Sequence, residues 1–171
     1  MKKILVTGGA GYIGSHTIVE LIAAGYTPII VDNLCNTSTQ NIDGIKKIID
    51  TEVKWHNVDC TEKEAMDKVF TEHGKIEGVI HFAAYKAVEE SVQNPQKYYD
   101  NNMGSLEVVL KCMQEHDVKN IIFSSSCTVY GMPDILPVDE NAPFKKAESP
   151  YGETKQICEQ MLKEDSCNNV A

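Results

Sequence analysis

The sequence has no long hydrophobic run and no cluster of positive charge. None of its apolar stretches approaches the ~20 residues that a membrane-spanning helix needs. The 171 residues carry a formal net charge of −9 at pH 7, and no basic stripe marks a face that could bind a phosphate backbone. We therefore expect neither a membrane nor nucleic acid as a partner.

Metal-ligand patterns are also missing. The cysteines show no C-x-x-C spacing, and none of the five histidines lies in an H-E-x-x-H motif. The apolar run after Met1 is too short for a secretory signal. We expect no metal site, reduced thiols and a cytoplasmic location. The cysteines are Cys35, Cys60, Cys112, Cys127, Cys158 and Cys167.

Short runs rich in valine and isoleucine alternate with stretches of helical period. This alternation is typical of βαβ units, in which a parallel sheet is buried on both faces. The length fits one domain, residues 1–171. We predict an α/β fold with a doubly wound parallel sheet, whose ligands gather at the carboxyl ends of the strands. The predicted strands are residues 4–7, 28–31, 52–55, 78–82 and 120–124.

Helical periodicity marks the segments between these runs, and Gly25 stands where a helix C-terminal glycine is typical. Residues 131–149 lack either period and predict a long loop. Ser149 and Pro150 then open a last helix as cap and first residue. Its expected buried stripe is Ile157, Cys158, Met161 and Leu162. The earlier predicted helices are residues 13–22, 41–49, 62–72 and a long segment from near Pro95.

A glycine-rich segment follows the first strand and opens the first helix. It fits G-x-G-x-x-G with Gly9 as the first glycine and G-x-x-G-x-x-G with Gly8 as the first, and both forms share Gly11 and Gly14. Glycines let a backbone approach a pyrophosphate, and a helix N-terminus offers unpaired N–H groups. A tight turn without a ligand is the alternative, but the strand-to-helix setting favours a dinucleotide site.

Asp32 ends the second predicted strand, 18 positions after Gly14. A carboxylate at this distance accepts hydrogen bonds from an adenosine ribose and repels a 2′-phosphate. Residues 33–36 include no lysine or arginine. The pattern predicts NAD rather than NADP, and a solvated aspartate at a strand end is the alternative.

Tyr151 and Lys155 lie four positions apart in the last predicted helix, so both project from one face. A neighbouring ammonium favours the phenolate, which suits a general base acting on an alcohol or sugar hydroxyl. An exposed, solvated pair is the alternative that the spacing alone would favour. Residues 124–131 add a hydroxyl cluster after the fifth strand, which could pass a proton or could merely cap the strand.

Together these motifs resemble the extended short-chain dehydrogenase/reductases, whose fold is the NAD-binding Rossmann fold, and within them the UDP-glucose 4-epimerase family. The strings that carry the resemblance span residues 7–17, 32–36, 81–92, 98–102, 124–131 and 149–155. Glu89 departs from the glycine common there in the family. The resemblance implies epimerisation of UDP-glucose and UDP-galactose, in galactose metabolism, through transient oxidation at the sugar C4.

The resemblance also implies residue roles. Tyr151 is the expected base, Lys155 holds the nicotinamide ribose and tunes Tyr151, and Ser126 bonds the reacting oxygen. The partners implied are a UDP-sugar and a second copy in a homodimer, through residues 104–116 and 152–163. The cofactor-lining residues implied are Gly8, Gly11, Tyr12, Ile13, Gly14, Asp32, Asn33, Leu34, Cys35, Asn36, Thr37, Asp59, Cys60, Phe82, Ala83, Ala84, Tyr85, Lys86, Asn101, Ser126, Tyr151 and Lys155.

Family members run to about twice this length, so we expect the fold to stop after the helix that follows strand 5. A sixth strand would begin near Asn169, and without it the fifth strand becomes an exposed apolar edge. The C-terminal substrate domain is then absent, and the fragment is expected to be inactive. Two rival functions remain: a sugar-nucleotide 4,6-dehydratase, which needs carboxylates in place of residues 126–128, and a non-catalytic NAD-binding module.

Overall fold

A computed structural model describes residues 1–168, and its sheet has five parallel strands in the order β3-β2-β1-β4-β5. The central strand β1 pairs with β2 on one side and β4 on the other. This order reverses direction between β1 and β4, which is the switch point of a doubly wound sheet. The predicted fold class is confirmed. The strands are β1 Lys3–Thr7, β2 Thr27–Asp32, β3 Lys54–Asn57, β4 Gly78–His81 and β5 Ile121–Phe123.

Helices connect the strands, as their sequence signals predict. Gly25 takes a left-handed conformation with φ of 84° just after α1, and the N–H of Tyr26 bonds to the carbonyl of Leu21 to close the helix. The side chain of Ser149 accepts the N–H of Gly152 at 3.1 Å and caps α7. The helices are α1 Tyr12–Ala23, α2 Thr39–Ile49, α3 Lys63–His73, α4 Val88–Gln93, α5 Pro95–Tyr98, α6 Gly104–Glu115 and α7 Pro150–Asn168.

Apolar residues cover both faces of the sheet because successive strand side chains point to opposite sides. Val6 packs on one face with Ile18 of α1 and Ile45 of α2. Its neighbour Leu5 packs on the other face with Phe70 of α3 and Val109 of α6. Each face is thereby removed from water, as a parallel sheet requires.

Several local predictions were wrong. Strand β3 begins at Lys54 rather than at residue 52. Helix α4 was not predicted, and a π-helical turn, Tyr99–Met103, interrupts the long helix expected from Pro95. On α7 only Cys158 of the expected stripe is buried, while Ile157, Met161 and Leu162 are partly exposed. The sixth strand expected near Asn169 lies outside the described residues.

Two compact units make up the chain. Unit 1 consists of residues 1–83 and 105–124, and holds the whole sheet. Unit 2 consists of residues 84–104 and 125–171, and includes α7. β5 lies at an edge of the sheet with Ile122 64% exposed. Over residues 1–168, no helix combines the length and apolar character that crossing a membrane requires.

Candidate active site

The glycine-rich loop of unit 1 leaves no room for side chains at two positions. A Cβ at Gly8, whose φ is +66°, would lie 2.8 Å from the backbone nitrogen of Ala83. A Cβ at Gly14 would lie 2.3 Å from the carbonyl oxygen of Gly8. Both neighbours are backbone atoms that cannot rotate away. The loop therefore requires glycine at these positions, and helix α1 starts directly against the end of β1.

The N-terminus of α1 presents backbone donors to solvent. Its cap residue is Gly11, which offers no side-chain oxygen to the first turn. The N–H groups of a first helical turn have no intrahelical partner, and they carry the positive end of the helix dipole. Tyr12 and Ile13 in this turn are 75% and 56% exposed. These donors suit a pyrophosphate, which would satisfy them.

Asp32 lies at the end of β2, beside the glycine-rich loop. One carboxylate oxygen accepts the N–H of Ala10 at 3.0 Å, and the other accepts the N–H of Leu34 at 2.9 Å. These bonds fix the carboxylate, and each oxygen keeps a second lone pair for a further donor. Asp32 is nearly buried, so its charge is directed into the loop rather than into bulk water.

The segment after β2 folds back onto the same loop. Thr37 donates its hydroxyl proton to the carbonyl of Ala10 at 2.8 Å, and Asn41 donates to that carbonyl at 2.7 Å. Cys35 bonds through its N–H to the side chain of Asn33, and Asn36 is exposed. Asn41 was not among the residues predicted from the sequence. The sequence alone does not distinguish Asn41, because polar residues are common in the first turn of a helix for several reasons.

Asp59 follows β3 and is tied to the β2 segment, since Asn33 donates to its carboxylate at 2.8 Å. Partial burial favours the neutral form, but hydrogen bonds from Thr61 and Asn33 outweigh it and lower the pKa of Asp59. Burial, with the charges of Asp59 and Asp32, raises the pKa of the Cys60 thiol. Cys60 is therefore a neutral, buried thiol and contributes packing rather than charge.

The residues directly after β4 are the last predicted cofactor residues of unit 1. Phe82 donates its N–H to the carbonyl of Thr7 at 3.0 Å, which carries the parallel pairing one residue past the strand ends. Ala83 then lies against Gly8. Unit 1 thus brings together the predicted cofactor residues from Gly8 to Cys60 with Phe82 and Ala83.

In unit 2, Ser126 caps a short 3₁₀ helix, Cys127–Tyr130. Its hydroxyl oxygen accepts the N–H of Thr128 at 3.3 Å and the hydroxyl of Thr128 at 3.0 Å. The first turn of α7 packs closely on this 3₁₀ helix. A Cβ added at Gly152 would lie only 3.3 Å from the carbonyl oxygen of Thr128. Ser126 is thereby held next to the turn of α7 that carries Tyr151.

Lys155 follows Tyr151 by one helical turn and is only 4% exposed. Burial lowers the pKa of its ammonium from 10.5 to about 8, against a smaller opposing effect of the Cys158 thiol. The group remains mainly protonated at neutral pH. Because Lys155 and Tyr151 are one helical turn apart, both side chains lie on one face of α7. Tyr151 is half-buried.

Two other tyrosines of unit 2 are unsuited to act as a base. Burial and a hydrogen bond to Glu90 raise the pKa of Tyr98 to about 12. A hydrogen bond to Glu153, with burial, raises the pKa of Tyr99 to about 12. Both phenols donate to carboxylates and stay neutral. Among these three tyrosines, only Tyr151 has an ammonium one turn away.

Asn102 joins the segment after β4 to α7. It lies in a string that carries the family resemblance, but it was not among the predicted site residues. Its side chain accepts the N–H of Tyr85 at 2.8 Å and donates to the carbonyl of Tyr85 at 3.0 Å. It also donates to the hydroxyl of Thr154 at 3.2 Å. Thr154 in turn bonds to the carbonyl of Tyr151. The predicted residues Ala84, Tyr85, Lys86 and Asn101 lie along or next to this connection.

An open cavity of about 350 Å³ lies beside the 3₁₀ helix of unit 2. Gln156 of α7 donates to the carbonyl of Val129, in the 3₁₀ helix, and to that of Lys145, both at 2.7 Å. Lys145 belongs to the long loop, residues 131–149, that the lack of either period predicted. The lining residues are Cys127, Tyr130, Gly131, Pro133, Val138, Asp139 and Glu140.

Comparison with known proteins identifies the family of this chain and its relatives. Residues 4–166 match the model of the NAD dependent epimerase/dehydratase family. UDP-glucose 4-epimerase of Dictyostelium discoideum is 50% identical over 165 residues, which cover 96% of this chain and 47% of that protein. The UDP-glucose 4-epimerase of Bacillus subtilis is 48% identical over 161 residues, covering 94% and 47%. The chain spans about half the length of these curated relatives.

Solved structures agree with the sequence relatives. UDP-glucose 4-epimerase from Bifidobacterium longum, in complex with NAD+ and UDP, superposes with a TM-score of 0.96 at 45% identity, covering 98% of this chain and 50% of that one. The enzyme from Stenotrophomonas maltophila, with bound NAD and formylated UDP-arabinopyranose, gives a TM-score of 0.94 at 41% identity, covering 98% and 49%. The chain belongs to the NAD dependent epimerase/dehydratase family.

Proposed function

We propose that this chain supplies the cofactor-binding and acid–base residues of a UDP-glucose 4-epimerase, which interconverts UDP-glucose and UDP-galactose in galactose metabolism. The observation that carries the proposal is the arrangement in unit 2. A phenol and a buried ammonium follow each other on α7, and a serine hydroxyl lies in the turn packed against that helix. Two relatives that are 50% and 48% identical over the matched residues are UDP-glucose 4-epimerases.

The residues of unit 1 fit NAD. The turn at Gly8 and Gly14 allows a pyrophosphate to approach the backbone, and the first turn of α1 offers the donors. Asp32 accepts hydrogen bonds from a ribose diol and repels a 2′-phosphate. The 171 residues include no arginine, so no guanidinium is present to clamp that phosphate. These features support NAD over NADP.

When bound, NAD supplies a reversible acceptor for the hydride of the sugar C4. Tyr151 removes the proton from the 4-hydroxyl, and the charge of Lys155 favours the phenolate that does so. Ser126 hydrogen-bonds the reacting oxygen and keeps it in line with Tyr151. The keto sugar then presents its other face, so return of the hydride to that face and of the proton to the oxygen inverts C4 with no net oxidation.

The 3₁₀ helix of unit 2 argues against a 4,6-dehydratase. Elimination of water needs an acid and a base next to the reacting carbons. The residues available there are Ser126, Cys127 and Thr128, none of which is a carboxylate. Cys127 has an exposed, free thiol, which does not serve as the carboxylic acid that the elimination requires. The available groups suit oxidation and reduction at one carbon rather than elimination.

Three further features belong to the proposal. We infer a homodimer through α6 and α7, which rests on the family resemblance alone. The protein acts in the cytoplasm, in keeping with the free thiols of Cys35, Cys60, Cys112, Cys127 and Cys158.

The 171-residue chain by itself turns over little substrate, since it spans about half the length of its relatives. Measurable epimerisation by the 171-residue chain would contradict this last point.

Product identification tests the proposed reaction. A protein that carries this chain at the full length of its relatives is incubated with UDP-galactose and NAD, and the products are separated. We expect UDP-glucose, with no accumulation of reduced cofactor. A 6-deoxy-4-keto sugar nucleotide formed without UDP-glucose would establish the dehydratase instead.

A further inference from the structure

Two histidines and a glutamate far apart in the sequence meet on unit 1. His56 lies on β3, and Glu72 and His73 lie at the C-terminal end of α3. The Nε2 atoms of the two imidazoles are 2.7 Å apart, and one ligand atom from each of the three residues lies within 4.8 Å of the others. We propose that His56, Glu72 and His73 bind one divalent transition metal ion of the zinc class. This site is separate from the proposed epimerase chemistry.

The hydrogen bond between the two rings shows that a lone pair is available. One Nε2 must donate and the other must accept, so at least one ring nitrogen carries no proton. The Nε2 atoms of His56 and His73 also face the same space between the two rings. A metal ion takes the position of the shared proton, and each imidazole then coordinates through Nε2. Glu72 is exposed and can swing its carboxylate inward as the third ligand.

The geometry needs only a small adjustment. Zinc–nitrogen bonds of 2.0–2.1 Å in a tetrahedral site place the two nitrogens about 3.3 Å apart. The pair must therefore open by about 0.6 Å. The ring planes stand at 85° to each other, which lets their in-plane lone pairs converge without a clash. Three protein ligands leave the fourth position for water.

The supports of the site are rigid. His56 is paired in register with Val31 on the neighbouring strand. The carbonyl of His73 accepts a hydrogen bond from the ammonium of Lys3 at 2.6 Å. A metal here would fasten the edge strand β3 to the end of α3. Because the metal binds the folded chain, it should raise the melting temperature of the protein.

The surrounding charges decide which cation fits. Lys3 and Lys54 act on His73 as positive charges, and Glu72 is the negative charge that opposes them. A hard cation such as Mg²⁺ or Ca²⁺ depends on several oxygen ligands, and this cluster offers one carboxylate. Imidazole ligands bind Zn²⁺, Ni²⁺ or Co²⁺ through coordinate bonds despite nearby lysines. The site therefore selects borderline metals over hard ones.

Calorimetric titration of the tag-free 171-residue chain with Zn²⁺ tests the proposal, together with the visible spectrum of the Co²⁺ form. We expect one metal per chain and a rise in melting temperature. His56→Gln and His73→Gln should each weaken Zn²⁺ binding at least tenfold. His116→Gln is the matched control, since His116 bonds to Asp67 outside the cluster, and it should bind as the unaltered chain does.

A glutamate variant and the Co²⁺ spectrum provide further tests of the metal site. Glu72→Gln changes an exposed residue, so it should fold normally and bind several-fold more weakly even if a histidine variant unfolds. A thiolate charge-transfer band in the Co²⁺ spectrum, or loss of binding on Cys35→Ser, would assign the metal to cysteine and overturn the proposal. Binding unchanged in His56→Gln and His73→Gln would overturn it too. Failure of the chain to bind Zn²⁺ would leave a histidine pair that only shares a proton.

Discussion

Gly14 is the most tightly packed glycine of the glycine-rich loop. The Cβ of an alanine would overlap the carbonyl of Gly8 at 2.3 Å, and neither atom belongs to a flexible side chain. Gly14→Ala should therefore lower the free energy of unfolding by about 1–3 kcal/mol, the usual range for overpacking. It should also weaken NAD binding, because the first turn of α1 must shift.

Gly44 is the matched control for this substitution. It lies inside α2, and nothing stands within 4 Å of its added Cβ. Gly44→Ala should raise the free energy of unfolding by about 0.5–1 kcal/mol, since alanine is the better helix former. Urea unfolding monitored by circular dichroism measures both. Equal effects of the two substitutions would mean that the loop is not constrained as described.

Lys155 should make stability depend on pH. The pKa of its ammonium is about 8 in the folded chain and 10.5 when unfolded. Between these values the unfolded state holds more protons, so the free energy of unfolding should rise as the pH rises from about 8 to about 10.5. The gain attributable to Lys155 is about 3 kcal/mol, at 1.36 kcal/mol for each unit of pKa difference.

Lys155→Met isolates this effect from the other groups that titrate in the same range. Methionine fills a similar volume without the charge, so the variant should be more stable than the unaltered chain below pH 8, and this advantage should shrink toward pH 10.5. Denaturant unfolding at several pH values measures the difference. If the free energy of unfolding changed with pH in the same way in both proteins, burial would not lower the pKa of Lys155.

At the scale of elements, α7 and the segment after β4 are held together through Asn102. Asn102→Ala would leave the N–H and carbonyl of Tyr85 without their side-chain partner. Asn102 is 2% exposed and makes three side-chain hydrogen bonds, each worth about 0.5–1.5 kcal/mol, so we expect a loss of about 2 kcal/mol or more in the free energy of unfolding. Thermal unfolding of the 171-residue chain measures it.

The neighbouring residue provides the control. Asn101 is only half-buried, and its side-chain amide donates to Asn102 itself. Asn101→Ala should change the free energy of unfolding by less than about 1 kcal/mol, although it should weaken NAD binding. A similar loss of stability in both variants would remove the special role of Asn102.

The strands and most helices could be predicted because their signals are local. Buried parallel strands read as apolar runs, and Ser149, Pro150 and Gly25 mark helix ends by their own chemistry. The errors have physical causes. Edge strand β3 is only partly buried, so its apolar pattern is weak. Helix α4 has six residues and exposes Val88 and Val92, so it shows no amphipathic period.

Contacts between distant residues could not be predicted in the same way. His56 and His73 are 17 positions apart, and their meeting depends on how α3 packs beside β3. The bonds of Asn102 to Tyr85 likewise depend on tertiary structure. The glycine loop and the Tyr151–Lys155 pair were visible because the loop is contiguous and the pair follows helical spacing.

At the scale of the whole molecule, the chain is acidic and yet is proposed to bind an anionic cofactor and an anionic substrate. A net charge of −9 repels such ligands at long range. The attraction must therefore be local, through the backbone donors of α1 and the buried ammonium of Lys155. Unit 1 holds the donors of α1, and unit 2 holds Ser126, Tyr151 and Lys155.

Turnover of UDP-galactose by a Tyr151→Phe variant, in a protein that carries this chain at the full length of its relatives, tests the central claim most directly. Phenylalanine keeps the ring and removes the hydroxyl. We expect one NAD per chain, as in the unaltered protein, and a fall in kcat of at least about 100-fold, the scale of general base catalysis. Tyr26→Phe, at a half-exposed tyrosine of unit 1, should leave kcat unchanged. Undiminished turnover in Tyr151→Phe would contradict the account.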